Sequence, residues 1–360
     1  MAINLPPKTV ALAAVAPTEG SAPAPPSVMN PAAVGEMLFN TMVLYGPTGS
    51  RKTSQIRELA KYVYEKTGKK TRLLTMDGGG YGTAQDYISA GIIDVWRLVE
   101  EERPLPMLIE ASKGRFPKDL QGGLRKSNSL AKDMGDVGAY AIEGWFSIAN
   151  AAMRYLVGKG LKINEDVVSK FSERSDFGED ISFGAPSRGH YGFVQNLILD
   201  LIRNFSGLSL ERILYTSLEG KGEDKITKGL TYGPATAGGA ITAAIPQYVG
   251  DCLHLEDFQV DKGVDKDSGA KLKETQVRAW FTSHPDPQTG VMWPAKCRII
   301  PSKVEAFKKV MGPSGYFNLN DKSLYDYLKA QDELLTAGTQ DVLAWKAQVD
   351  EARKKLAEGK

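Results

Sequence analysis

The sequence predicts an α/β protein with a mostly parallel central sheet, and three observations carry that prediction. An apolar segment, Met37 to Tyr45, runs directly into a glycine turn and then into a helical pattern. Strand-like and helix-like stretches keep alternating as far as Ile300. The composition, 42% hydrophobic and 24% charged, is that of a soluble globular chain.

The chain has 360 residues, enough for one large α/β core with appendages or for two domains. A formal net charge of +2 excludes a global basic field, so any nucleic-acid surface has to be a local patch. Two cysteines, Cys252 and Cys297, lie far apart, and the three histidines are scattered. That pattern argues against a zinc site and fits a reducing cytoplasm. No apolar run approaches the length of a membrane span. Residues 1–34 are Ala- and Pro-rich and read as a disordered tail. The apolar run within it, Thr9 to Ala16, is too short and too weakly flanked for a signal peptide.

The first strand leads to Tyr45-Gly46-Pro47-Thr48-Gly49-Ser50-Arg51-Lys52-Thr53-Ser54. Beyond it Ile56, Leu59, Ala60 and Val63 recur at helical spacing until Gly68 supplies a stop. Strand, glycine turn and helix form the setting that a phosphate-binding loop requires. Backbone N–H groups and the positive helix end would cradle phosphates. Lys52 would reach the β- and γ-phosphates, and the Thr53 hydroxyl would hold Mg²⁺. The pattern G-x-x-x-x-G-K-[ST] has glycine where this chain has Arg51. A side chain there costs on the order of 1 kcal/mol if the loop needs left-handed backbone. Arg51 would alternatively add a guanidinium to the phosphate site. The competing reading of the whole stretch is a glycine-rich turn without a ligand.

A second strand is predicted over Thr71 to Met76, ending at Asp77-Gly78-Gly79-Gly80. A carboxylate at the carboxyl end of a strand suits an active site, and suits a helix cap or turn equally. Ile92 to Leu98 reads as a short strand, and Lys113 to Lys132 as a basic run, either a solvated loop or a nucleic-acid contact. Gly138 to Ile142 is a strand leading into Glu143, followed by a helical face of Trp145, Ile148, Ala149 and Ala152. An acid ending a buried strand is where P-loop enzymes orient the water shell of Mg²⁺. Residues 158–186 lose periodicity and read as an insertion or mobile loop. A helix follows over Ser187 to Arg203, then a strand from Glu211 to Ser217 ending at Leu218-Glu219.

Gly220 to Gly239 reads as a glycine-rich basic loop, with Lys221, Lys225 and Lys228 as candidate DNA contacts or parts of a plain flexible loop. Gly250 to Phe258 is predicted as a strand and Asp261 to Lys273 as a charged turn. Thr275 to Thr282 and Val291 to Ile300 are predicted to form a terminal hairpin carrying Lys296-Cys297-Arg298. From Lys303 the chain reads as mainly helical, with Val342, Trp345, Val349, Ala352 and Leu356 in a stripe spaced by three and four.

With these pieces in order, the chain resembles the RecA-like P-loop ATPases, and more narrowly the phage-type AAA-domain proteins related to single-strand annealing recombinases. The likeness spans about residues 37–301. It rests on the phosphate loop, Asp77-Gly78-Gly79, Tyr215-Thr216-Ser217-Leu218-Glu219, Gly233-Pro234-Ala235-Thr236-Ala237-Gly238 and Ala295-Lys296-Cys297-Arg298. It implies a RecA-like core over residues 35–301 and a helical extension over 302–360. Residues 46–54 (Gly46, Pro47, Thr48, Gly49, Ser50, Arg51, Lys52, Thr53 and Ser54) would hold ATP, with Mg²⁺ at Thr53 and Glu143. The same resemblance makes Asp77 the water-activating acid and Glu219 a γ-phosphate sensor. Lys296 and Arg298 become a basic pair reaching a neighbouring subunit's nucleotide. The implied protein is a cytoplasmic Mg²⁺-dependent ATPase, in the host cytoplasm if phage-encoded. It would bind single-stranded DNA and assemble into a ring or filament. Arg51 and Glu143, glycine and aspartate in the family, leave a low-turnover assembly or regulatory protein as the alternative. A helicase or packaging motor is a further one.

Overall fold

In the computed structural model the described residues are 40–76, 80–98, 104–117, 130–132, 135–159, 188–223, 229–236, 239–264, 268 and 271–357. The expected tail, most of the expected insertion, Asp77, Lys225 and Lys228 lie outside them.

The first strand, β1 (Thr41–Gly46), is buried along its whole length, and helix α1 (Lys52–Thr67) follows it. Next come β2 (Lys70–Thr75), a 3₁₀ turn at Gly80–Ala84, the short helix α2 (Gln85–Ser89) and β3 (Ile93–Arg97). Helix α3 (Pro104–Ser112) precedes a small ribbon of β4 (Arg115–Pro117) and β5 (Leu130–Lys132). Strand β6 (Val137–Glu143) leads to α4 (Trp145–Lys159), and α5 (Arg188–Ser206) leads to β7 (Arg212–Glu223). Then follow β8 (Leu230–Pro234), α6 (Gly239–Tyr248), β9 (Asp251–Val264) and β10 (Lys271–Trp280). The chain closes with β11 (His284–Pro285), β12 (Met292–Trp293), α7 (Val304–Met311), β13 (Tyr316–Asn318) and α8 (Leu324–Ala357).

One nine-stranded sheet organises these elements, in the order β13-β10-β9-β1-β7-β6-β2-β3, with β8 paired to β7 off that path. The six strands from β9 to β3 run parallel, and β10 and β13 add an antiparallel edge. This is the mixed α/β fold with a mostly parallel central sheet that the sequence predicts. Period-two alternation sends Met42 and Leu44 of β1 to one face and Val43 and Tyr45 to the other. On the first face they meet Ile56, Leu59 and Val63 of α1 with Tyr327 and Leu328 of α8. On the second lie Trp145 and Ile148 of α4, Ile198 and Leu201 of α5, and Ile241 of α6. With both faces covered, the carboxyl ends of the parallel strands remain as the open edge where a ligand can sit.

Several boundaries move. The charged stretch Asp261 to Lys273, expected as a turn, instead extends β9 to Val264 and begins β10 at Lys271. Beyond Asp257 these two strands pair only with each other, so charges on both faces stay in water and hide the strand signal. Thr275 to Trp280 therefore pairs with β9, and the hairpin around Pro285 to Gly290 is a two-residue ribbon. Lys296 makes one antiparallel bridge to Cys252, and Cys297 to Ile300 form no strand. The mainly helical C-terminal segment also supplies the edge strand β13. Its apolar stripe is exposed at Val342 and Trp345 rather than packed on the core.

Candidate active site at the carboxyl ends of β1, β2, β6 and β7

The loop from Gly46 to Arg51 is shaped by backbone demands that its residues meet unevenly. A Cβ on Gly46 would lie 2.4 Å from the Leu255 carbonyl oxygen, so only glycine lets β1 end this close to β9. Gly49 has φ +88° and open space around it. Arg51 caps α1 at φ 62° and ψ 22°, the left-handed region, and is the single non-glycine residue with positive φ among the described residues. The strain expected for a side chain at this position is therefore present. The Arg51 guanidinium donates to Asn320 Oδ1 at 2.6 Å, in the turn between β13 and α8.

Lys52 lies across the loop. Its Nζ donates to the carbonyls of Gly46 (2.9 Å) and Pro47 (2.6 Å) and to Ser50 Oγ (3.1 Å). Ser50 Oγ in turn donates to the Pro47 carbonyl at 2.8 Å, and Ser50 is buried. The ammonium thus sits inside a ring of loop oxygens.

Below the loop, the Thr53 hydroxyl donates to Glu143 Oε1, and Thr75 Oγ1 donates to Glu143 Oε2 at 3.1 Å. Glu143 ends β6 at only 3% exposure. Thr75 is its register partner across the β2–β6 pairing. The structure therefore brings Lys52, Thr53 and Glu143 together from α1 and β6, and adds Thr75, which sequence reasoning missed. A hydroxyl at the carboxyl end of β2 was visible, but only the register tells that it faces the acid. A buried carboxylate and a helix-start hydroxyl are hard oxygen donors, the set Mg²⁺ takes with few protein ligands.

Glu219 stands apart from that group. Its side chain is 38% exposed, with Oε2 3.5 Å from His254 Nε2. It lines a cavity of about 280 Å³ with Phe146, Leu218, Lys221, Thr236 and Thr242. Asp257 on β9 was also missed: burial raises its pKa, Lys52 opposes the rise, and Glu219 adds to it. Asp257 thus lies near enough to both Lys52 and Glu219 to feel their charges. Asp77 falls outside the described residues.

The stretch expected as a glycine-rich loop after Glu219 is instead a β7–β8 hairpin followed by α6. Gly220 pairs with Gly233. A Cβ on Gly220 would come within 2.9 Å of Ala235 Cα, and one on Gly233 within 2.7 Å of the Thr242 carbonyl oxygen. These glycines permit close packing, which sequence reading took for flexibility. Lys221 is exposed, its ammonium 5.7 Å from the centre of the Tyr232 ring.

The backbones of Lys296 and Arg298 lie away from the loop of Gly46 to Arg51 in their own chain. Lys296 bonds through its backbone to Cys252, and the Arg298 N–H donates to Asp251 Oδ1 at 2.8 Å. Cys252 is the register partner of Val43, whereas Gly46 abuts Leu255. Their backbones thus sit about 10 Å or more down the sheet from the loop. Burial and the nearby Arg298 charge lower the pKa of the Lys296 amine.

No protein-family model matches the chain, and no curated protein matches it. Among solved structures, a crystal structure of the RadB recombinase aligns with 70% of this chain and 84% of its own at 11% identity and a TM-score of 0.34. A TM-score of 0.34 carries no argument about the site, which rests on the residues and strand order described above.

Proposed function

We propose that this chain is a RecA-like, Mg²⁺-dependent ATP-binding protein that hydrolyses ATP and couples nucleotide state to single-stranded DNA. The observation that carries the reading is the convergence of the Lys52 ammonium, the Thr53 hydroxyl and the buried Glu143 carboxylate at the open edge of the sheet. The loop amides from Gly49 to Thr53 and the N-terminal end of α1 would bind the phosphates. Lys52 would leave the Gly46 and Pro47 carbonyls and neutralise β/γ oxygens. Thr53 and Glu143 would hold Mg²⁺, which when bound supplies charge neutralisation at the phosphates. Glu219, with Asp77, is assigned to water and γ-phosphate sensing.

DNA binding is assigned to the β7–β8 hairpin. Exposed Lys221 beside Tyr232 and the cavity next to Glu219 support it, with Lys225 and Lys228 as further contacts. Lys296 and Arg298, remote from their own loop, are assigned to a neighbour's nucleotide in a ring or filament of this chain. No helix among the described residues is long and apolar enough to cross a membrane, and we assign the protein to the cytoplasm, of the host if phage-encoded. Recombination, repair or replication of phage type is the setting that the family resemblance suggests. Arg51, left-handed and bonded to Asn320, favours one second reading, a nucleotide-binding assembly or regulatory protein with little turnover.

The test is binding of ATP with Mg²⁺ by the full chain and by Lys52→Ala, together with turnover with and without single-stranded DNA. The proposal expects tight Mg²⁺-dependent binding that Lys52→Ala abolishes in a folded protein, and turnover that DNA changes. Binding without turnover selects the assembly reading. Equal binding by both proteins removes the nucleotide site.

A further inference from the structure

The β13 edge of the sheet carries an arginine that the fold leaves without an anion. Where β9, β10 and β13 run side by side, Val277, Ala279 and Phe317 are buried on the face that meets α1 and α8. The opposite face holds Phe258, Gln276, Arg278, Trp280, Tyr316 and Asn318, all half-buried. In register Arg278 lies between Glu256 of β9 and Asn318 of β13, yet it bonds to neither. Asn318 donates to Gln276 Oε1 at 2.5 Å, and Glu256 Oε2 accepts from Trp280 Nε1 at 2.8 Å.

The guanidinium instead lies over the Phe258 ring, 3.7 Å from its centre, and 4.8 Å from the centre of the Tyr316 ring. Its Nε is buried and has no hydrogen-bond partner. Among the described residues the side chain makes no hydrogen bond and no ion pair. Glu274, farther along β10, is taken by Lys262 at 2.6 Å. A guanidinium has five N–H donors, and burying one without an acceptor works against folding. The two rings hold its plane in place, which leaves a fixed, charged donor fork suited to an oxyanion.

We infer that this face binds one nucleotide of a single strand, with the phosphate on Arg278 and the base against the rings of Phe258 and Tyr316. The spacing supports a nucleotide. Residues two apart on one strand are about 7 Å apart, so the row of Arg278 and the row of Tyr316 match the reach from a phosphate to its own base. A carboxylate side chain would satisfy the guanidinium but bring no flat ring, whereas a nucleotide supplies both in one unit. Aromatic faces accept any base, because every base has a π-face. A packed column of rings continues from Tyr316 through Trp280, His284, His254 and Trp293 to Tyr232, with successive centroids 3.9–5.1 Å apart. At its far end stands Lys221 of the β7–β8 hairpin. A strand that meets Lys221 can therefore reach Arg278 within a few nucleotides. This use of the face rests on the DNA binding proposed above.

The test is binding of a labelled oligothymidylate of about 20 nucleotides by the full, nucleotide-free chain across a range of salt concentrations. Arg278→Met keeps the length and apolar packing of the stem and removes the donors. Because the guanidinium is unpaired, the variant should unfold at a urea midpoint equal to or above that of wild type. It should bind the oligonucleotide about tenfold or more weakly. The slope of log K against log[salt] should shrink by about 0.7, the share of one phosphate on a single strand. Tyr316→Leu should weaken binding with the slope unchanged, since it removes stacking and no charge. Equal affinity and slope in Arg278→Met and a wild type that binds overturn the inference and leave the DNA reading standing. A wild type that binds no oligonucleotide overturns both. A lower midpoint with unchanged binding makes Arg278 a structural residue and also overturns the inference. Polyglutamate that binds wild type, loses affinity in Arg278→Met and outcompetes the oligonucleotide overturns it in favour of an acidic protein partner.

Discussion

Replacing Arg51 isolates the strain in the loop between β1 and α1. In the left-handed region the side chain costs about 1–2 kcal/mol, a cost that any L-residue with a Cβ shares. Arg51→Ala therefore keeps the strain and loses the bond to Asn320, which at an exposed site contributes about 0.5–1 kcal/mol. Arg51→Gly loses the same bond and removes the strain, but adds about 0.4–1 kcal/mol of unfolded-state entropy to be overcome. The alanine variant should thus be less stable than wild type by about 0.5–1 kcal/mol. The glycine variant should exceed alanine by about 0.5–1 kcal/mol and lie near wild type. Urea midpoints at constant m-value read this, with about 2 °C per kcal/mol expected in Tm for a chain of this size. Asn320→Ala should cost about 0.5–1 kcal/mol in wild type and nothing on either Arg51 variant. If alanine is as stable as glycine, Arg51 is not left-handed in solution and the strain argument fails. Turnover of Arg51→Gly should equal or exceed that of wild type. A collapse would make Arg51 a working part of the site.

Gly46→Ala puts a Cβ 2.4 Å from the Leu255 carbonyl oxygen, a contact with rigid backbone. It should destabilise the fold by about 1–3 kcal/mol in denaturant unfolding and weaken nucleotide binding, and an unchanged midpoint would refute the packing. Replacing Lys221, Lys225 and Lys228 together by alanine should weaken single-stranded DNA binding and flatten its dependence on salt concentration. An unaltered slope would return the hairpin to an ordinary surface element. A protein with Lys296 and Arg298 both changed to alanine should bind ATP but not hydrolyse it. Mixing it with Lys52→Ala should restore some activity at mixed interfaces. Normal hydrolysis by the double variant as a monomer would rule out a shared site.

What was legible in the sequence was local. The run from Met37 to Gly68 carries its own strand, turn and helix signals, and the structure differs there only in where β1 begins. The strain at Arg51 was legible too, because a motif position that takes glycine implies a backbone demand rather than a chemical one. What was not legible depends on register and neighbours. Thr75 meets Glu143 only because β2 lies beside β6, a pairing that strand signals alone do not reveal. The β7–β8 hairpin was hidden because its glycines serve close contact with Ala235 and Thr242, and a sequence shows a glycine without showing what it touches. Lys296 and Arg298 were expected on a hairpin strand; the segment holds one bridge to β9, since its other partner strand is already taken by β9. His254 and His284, scattered in sequence, become a pair only in the fold.

The C-terminal helix, expected to belong to an extension beyond residue 301, packs against the elements that precede it. Helix α8 begins against α1: its Leu324 N–H donates to Gln55 Oε1 at 2.9 Å. Farther along, Tyr325 Oη donates to Glu65 Oε2 at 2.6 Å. Asp332 accepts from Tyr62 and Lys66 of α1 and, at 2.9 Å, from Arg212 at the start of β7. Leu324, Tyr327 and Leu328 are fully buried, and Tyr327 packs against Phe281, Phe307 and Phe317. Contacts across the expected boundary near residue 301 thus include both exposed polar pairs and this buried aromatic cluster. Helix α1 is therefore fixed along its flank by α8, while its first residue, Lys52, and its cap, Arg51, face the loop and Asn320. One exposed hydrogen bond, from Arg51 to Asn320 just ahead of α8, thus links the cap of α1 and its loop to the start of the C-terminal helix.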